Sequence, residues 1–218
     1  MNTHQGKDPE TQFLEGLIEL QYEQDVVKDL EQVAKKVPWA KGWPQDTKAF
    51  WNAEAFMWGH KIDKEVRTVI ADELKELEKG NNLDLGCGSY SYLPSVGFDL
   101  SPKMLDFNEN CVKKVIGNLE EALPFKTGEF DSVTAIFALN YVQNYLSLLK
   151  EIFRVLEEKG IFMMILSVKG VNTWQGQKEV NHFSVEGWNQ ILAQSGFTVK
   201  SYQKQELWFF NCHKGKGY

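Results

Sequence analysis

The sequence predicts an α/β protein: a doubly wound, mostly parallel sheet with an antiparallel strand at its C-terminal edge, preceded by a helical extension. Three observations predict it. From residue 81 onward, short apolar runs alternate with stretches of helical period, the pattern of strands buried on both faces between helices. The first run turns on Gly86-Cys87-Gly88, where two glycines let the backbone double back with no Cβ in the way. The chain closes with two short strands so near in sequence that, if they pair, they must pair antiparallel. The 218 residues thus divide into a helical cap or lid, residues 1–80, and a core, residues 81–218.

Asp8 is placed to cap a first helix, with Pro9 at its first position. Leu14, Leu17, Ile18, Val26, Val27, Leu30, Val33 and Val37 continue a helical period, and the helix is expected to end before Pro38. Trp39, Trp43, Phe50, Trp51, Phe56 and Trp58 then crowd into one segment, suited to core packing or to an aromatic cover over a ligand crevice. A helix over 63–79 buries Val66, Val69, Ile70, Leu74 and Leu77 and stops at Gly80. Strands follow at 83–85, 96–100, 115–117, 130–138 and 160–168, with helices at 102–108 and 145–156. A helix over 184–195 ends at Gly196, before strands at 197–202 and 206–213.

Hydrophobic residues make up 43% and charged residues 25%, ordinary for a globular domain. A formal net charge of −6 speaks against a nucleic-acid partner, which draws on a Lys/Arg excess. Cys87, Cys111 and Cys212 have no CxxC spacing and fit neither a disulfide framework nor a zinc site. The N-terminus lacks the apolar region of a signal peptide, and the longest apolar run, residues 161–166, is too short to span a bilayer. The expectation is a cytoplasmic protein without metal or membrane association.

A glycine turn after the first strand and an acid, Asp99, at the end of the second form the layout of an adenosine crevice. The dinucleotide fingerprint needs a third glycine, and here Ser91 or a neighbour stands in that place. Pro94 leaves room for barely a turn of helix, so the helix-terminal anion site is weak. Asp84, directly before the turn, would repel a pyrophosphate and attract an ammonium. S-adenosylmethionine (SAM), with a cationic amino group, a sulfonium and no phosphate, suits this better. Asp84 would face its amino end, directly or through water. Asp99 would accept from both ribose hydroxyls, as an acceptor-only carboxylate can.

These residues resemble a known family. Asp84-Leu85-Gly86-Cys87-Gly88 is similar to the first motif of the class I SAM-dependent methyltransferases, and 96–104 to their strand-acid-Ser-Pro-x-Met segment. Residues 118–125 resemble the loop reading Gly-Asp-Ala-Glu-x-Leu-Pro-Phe, and 130–141 the fourth strand with its substrate-side end. The resemblance covers roughly residues 81–213 and is strongest to the type 11, small-molecule-like branch. It implies a Rossmann-like core and a cofactor touching Asp84, Gly86, Cys87, Gly88 and Ser89 at the turn. Further contacts implied are Asp99 and Leu100, Asn118 and Leu119, and Phe137 and Ala138. The chain departs from the family in a short 88–99 segment with the first crossover helix largely missing. Asn118 stands where an Asp is usual, and Tyr141 where a His is frequent.

Methyl transfer from a sulfonium is an in-line displacement with a neutral leaving group, so positioning carries much of the catalysis. A base is needed only for an acceptor that must lose a proton, and the candidates are Tyr141, His182 and His60. Trp51, Trp58, Tyr141 and Trp174 are expected to cover the substrate. The expected reaction moves a methyl group from SAM to a small or medium-sized acceptor, leaving S-adenosylhomocysteine (SAH), in a monomer or homodimer. Alternatives are an RNA- or protein-directed methyltransferase, for which Lys61, Lys64, Arg67, Lys200, Lys204, Lys214 and Lys216 would supply a basic patch, and a SAM-binding protein without catalysis.

Overall fold

The computed structural model describes residues 7–20, 26–168 and 176–215. The described strands form one seven-stranded sheet in the order β3-β2-β1-β4-β5-β7-β6. They are β1 (Asn82–Leu85), β2 (Ser95–Asp99), β3 (Cys111–Ile116), β4 (Phe130–Ile136), β5 (Leu156–Ser167), β6 (Phe197–Lys204) and β7 (Leu207–Lys214). The pairings from β3 through β5 are all parallel, and β7 runs antiparallel between β5 and β6. The edge pair therefore has the antiparallel geometry expected of it, with β6 outermost. Chain order reverses direction across the sheet between β1 and β4, the switch point where the carboxyl ends of strands leave a crevice.

The helices are α1 (Pro9–Glu19), α2 (Val27–Ala34), α3 (Thr47–Lys61), α4 (Lys64–Leu74), α5 (Pro102–Phe107), α6 (Tyr145–Val155) and α7 (Val185–Gln194). Asp8, Asp46, Ser101 and Ser184 each accept a backbone N–H of the first turn of α1, α3, α5 and α7. The expected single helix through residue 37 is two helices. Only Leu20 and Tyr22 carry apolar bulk between Ile18 and Val26, and packing α2 on α1 lets Leu30 fill the place a Gly16 side chain would take. Phe13, Leu17, Leu30, Ala34, Trp43 and Phe50 share that small core.

The C-terminal half of α3 and all of α4 belong instead to the sheet. Trp58, Ile70 and Leu74 pack with Leu93, Met104, Phe137, Ile165 and Phe209. On the opposite face, α6 and α7 bury Leu149, Ile152, Trp188 and Leu192 against Leu83, Val133, Phe162 and Phe210. β3 starts four residues before its expected position and β5 starts at Leu156, directly after α6, because Leu156 already pairs with Phe130 across an irregular step. Among the described residues no helix joins β1 to β2. Tyr90 and Tyr92 fill that crossover edge to face at 5.1 Å, under the Arg67 guanidinium of α4, 4.6 Å from the Tyr90 ring.

Candidate active site

A cavity of about 630 Å³ opens at the carboxyl ends of β1, β2 and β4, within the range of roughly 300–1,000 Å³ common to small-ligand sites. Its floor is the glycine turn. Gly86 (φ +62°) and Gly88 (φ +57°) both adopt the left-handed conformation, and a Cβ on Gly86 would lie 2.8 Å from that of Ala138. The Trp58 indole sits over Gly88, its Nε1 3.3 Å from where a Cβ would be.

Asp99 terminates β2 at the cavity wall. Gly88 N donates to its Oδ2 at 2.9 Å and Ser101 N to its Oδ1 at 2.8 Å. Burial pushes its carboxyl up to about 6, an effect those backbone donors partly offset. Leu100, Met104, Asn118 and Leu119 continue the wall on that side. Asn118 Oδ1 already accepts from Glu120 N at 3.1 Å, leaving one lone pair for a ligand.

Phe137 and Ala138 line the β4 end. Phe137 takes a positive φ of 56°, rare for a side chain of its size, and its N–H bonds Ile165 O at 2.9 Å. That kink turns the chain so that Ala138 meets Gly86. Beyond it, Trp51 and Tyr141 stand nearly perpendicular at 5.0 Å between ring centres, with Trp58 edge-on to Trp51 at 6.4 Å. Burial, with the nearby charges of Glu179 and Glu54, raises the Tyr141 phenol above its ordinary range. A phenol shifted that way stays protonated at neutral pH, so it donates a hydrogen bond and makes a poor base.

Other expected site residues stand elsewhere. Asp84 does not line the cavity. Strand register pairs it with Thr134, whose Oγ1 donates to Asp84 Oδ1 at 2.7 Å beneath the turn. Burial pushes its carboxyl up to about 6, opposed by the Ser91 and Thr134 hydroxyls and assisted by the Asp99 charge. Cys87 is buried, its thiol donating to the Gly88 carbonyl at 3.6 Å. Ser89 is half-buried outside the cavity. His182 is 70% exposed, 3.6 Å from Glu179, on a separate hollow of about 230 Å³. It is therefore removed from the crevice, since the chain turns outward there to enter α7. His60 lies in α3 with its side chain outside what the structure describes, and Trp174 lies outside the described residues.

Sequence reasoning missed Thr47, Glu120, Gln143, Asn144, Lys178 and Val180, which also line the cavity. Most follow strand ends without a motif to mark them. Glu120 braces the site: its two carboxylate oxygens accept from Gln143 N and Asn144 N at 2.6 and 2.8 Å, pinning the wall loop to the start of α6. Arg154 holds the same loop by donating to the Leu123 and Phe125 carbonyls while paired with Glu151. Among the described residues no group of three or more His, Cys, Asp or Glu is set to hold a metal, and no helix is long and apolar enough to cross a membrane.

The glycine turn, the acid ending β2 and the reversal of strand order between β1 and β4 are the layout of the Rossmann-like fold that class I SAM-dependent methyltransferases share. Residues 83–164 match the Methyltransf_11 family, described as a methyltransferase domain. Among individual proteins, the chain is similar to a demethylmenaquinone methyltransferase of Lactococcus lactis subsp. lactis. The two are 37% identical over 100 residues, covering 36% of this chain and 38% of that protein. A demethylmenaquinone methyltransferase of Listeria welshimeri is 28% identical over 139 residues, covering 55% and 53%. The chain thus spans about half or less of the length of these curated relatives. A SAM-dependent methyltransferase of Thermotoga maritima superposes with a TM-score of 0.56 at 17% identity, covering 68% of this chain and 89% of that one, a likeness of fold.

Proposed function

We propose that this protein transfers a methyl group from SAM to a small or medium-sized acceptor, releasing SAH. The carrying observation is that one cavity joins the glycine turn and Asp99 to the aromatic corner of Trp51 and Tyr141. SAM would supply an electrophilic methyl on a sulfonium whose departure as a neutral thioether needs no acid. The left-handed Gly86 and Gly88 let backbone approach the ligand closely, and Ala138 fills the space that a side chain on Gly86 would take. Asp99, ionised, accepts from the ribose hydroxyls and fixes the ligand's long axis. Trp51, Trp58 and Tyr141 exclude water and hold an acceptor in line, the part of the barrier that orientation lowers.

The N-terminal segment acts as cover in this reading. Asn52 of α3 accepts from Ser101 Oγ at 2.8 Å, tying that helix to the β2 end. Asp84 acts from below, fixing the turn through Thr134. The cytoplasmic setting and the monomer or homodimer remain part of the proposal. Isothermal titration tests it: SAM and SAH should both bind one per chain, and absence of binding at millimolar ligand would remove the reading. SAM bound without any turnover against a broad acceptor panel would support the non-catalytic alternative instead.

A further inference from the structure

We infer that the acceptor is a planar aromatic carrying a carboxylate, and that Lys178 is the residue that binds its charge. The inference rests on the cofactor placement proposed above and adds the chemistry of the acceptor end. Among the described residues three charged side chains line the cavity: Asp99, Glu120 and Lys178. Asp99 stands at the glycine-turn end, and both oxygens of Glu120 are occupied by backbone donors. Lys178 stands at the other end, near the start of α3. Among the described residues its ammonium meets neutral groups there, the Gln45 carbonyl at 3.3 Å and the face of the Phe50 ring 5.1 Å from its centre.

The position of Lys178 is held from its own side of the cavity. Val180 N and Asn181 N both donate to Asn140 O, at 2.8 and 3.1 Å. Asn181 Nδ2 bonds the Leu139 and Val142 carbonyls at 3.0 and 2.7 Å. The same cavity is lined by the Trp51–Tyr141 corner, whose crossed rings offer one face and one edge to a flat ligand. The charges of Glu179 and Glu54 bear on Tyr141, but Glu54 is paired with Lys61, and among the described residues Lys178 is the one cationic side chain that lines the cavity of this protein of net charge −6. It favours an anionic ligand that the rest of the chain would repel. The planar fork of a carboxylate reaches a lysine while its ring remains in the corner.

The test is titration of the SAH-saturated protein with 2-naphthoate and its neutral isostere 2-naphthamide. Naphthoate should bind about tenfold or more tighter, the scale of one hydrogen bond to a charged group. Lys178→Gln should erase that preference, and Lys178→Arg should restore most of it. SAH affinity, measured on each variant, reports that the fold and cofactor site are intact. Equal binding of the two probes by the native protein would overturn the inference, as would an unchanged preference in Lys178→Gln or no binding of either probe. If SAH itself fails to bind, the cofactor reading falls first and takes this one with it. A normal SAH isotherm with no naphthoate preference removes the acceptor class alone.

Discussion

Asp99 sits between two influences that pull its carboxyl in opposite directions. Burial favours the neutral acid, while the N–H groups of Gly88 and Ser101 favour the ionised form. Hydrogen bonds to charged groups contribute about 1.5–3 kcal/mol each. Asp99→Ala should therefore weaken SAM binding by roughly 100-fold or more, and Asp99→Glu by less. The pH dependence has a definite sign. Its folded value of about 6 lies above the ordinary carboxyl value of about 3.9. Without ligand, stability from this group is greatest below about pH 4 and is lost as pH rises toward 6. In the proposed binding mode the ligand needs the ionised form, so affinity should fall as pH drops through about 6. Calorimetry should accordingly show a larger SAH-induced rise in Tm well above that pH than below it, and equal rises would contradict this role for Asp99. Tyr141 invites a different comparison. A general base contributes roughly 10²–10⁴-fold, and a phenol held protonated cannot act as one. Tyr141→Phe should therefore lose far less kcat than that range, whereas Tyr141→Ala, which opens the corner with Trp51, should raise KM.

At the scale of elements, the short helix α5 links the proposed cofactor wall to α3. Ser101 accepts from Met104 N at 3.0 Å as its N-cap and donates to Asn52 of α3 at 2.8 Å. Loss of an N-cap alone costs about 0.5–2 kcal/mol, and Asn52 would lose its donor as well. Ser101→Ala should lower stability by about 2 kcal/mol in urea titration, near the upper end of that range. It should also weaken acceptor binding, because α3 carries Trp51 and Trp58. Undisturbed acceptor binding in that variant would show that α3 holds its place without this bond. The crossover from β1 to β2 makes a related point. With no helix there, Leu93 and Tyr92 pack on Ile70 and Leu74 of α4, so the N-terminal region supplies the layer that the crossover lacks.

For the whole molecule, β7 is the strand on which closure of the sheet depends. It pairs with β5 over seven residues and with β6 over eight, and its Phe209, Phe210 and Cys212 are fully buried. Phe209 and Phe210 face opposite cores, one with Ile70 and Met163, the other with Trp188 and Leu192. A chain ending at Gln205 would leave β5 as an edge and open both cores, each large side chain lost costing about 3–5 kcal/mol. It should show no cooperative thermal transition by circular dichroism. A cooperative transition near that of the full chain would mean the parallel part folds alone.

The apolar runs by themselves determined the parallel sheet, because strands covered on both faces leave no polar alternation to mistake for anything else. The Gly86-Cys87-Gly88 turn and Asp99 were equally legible, since their chemistry lies in residue type at fixed spacing. Tertiary structure decided what depends on contact across the chain. Leu30 meeting Gly16 makes two helices of a periodicity that reads as one. Asp84 stays out of the cavity because register sets it beside Thr134, a neighbour 50 residues away. Lys178 reaches the cavity only because Asn140 and Asn181 fold its segment back over the end of β4. Short-range pattern records which face of an element is apolar. It carries no record of which distant side chain arrives to cover it, and the end of this cavity near Lys178 is built almost wholly from such arrivals.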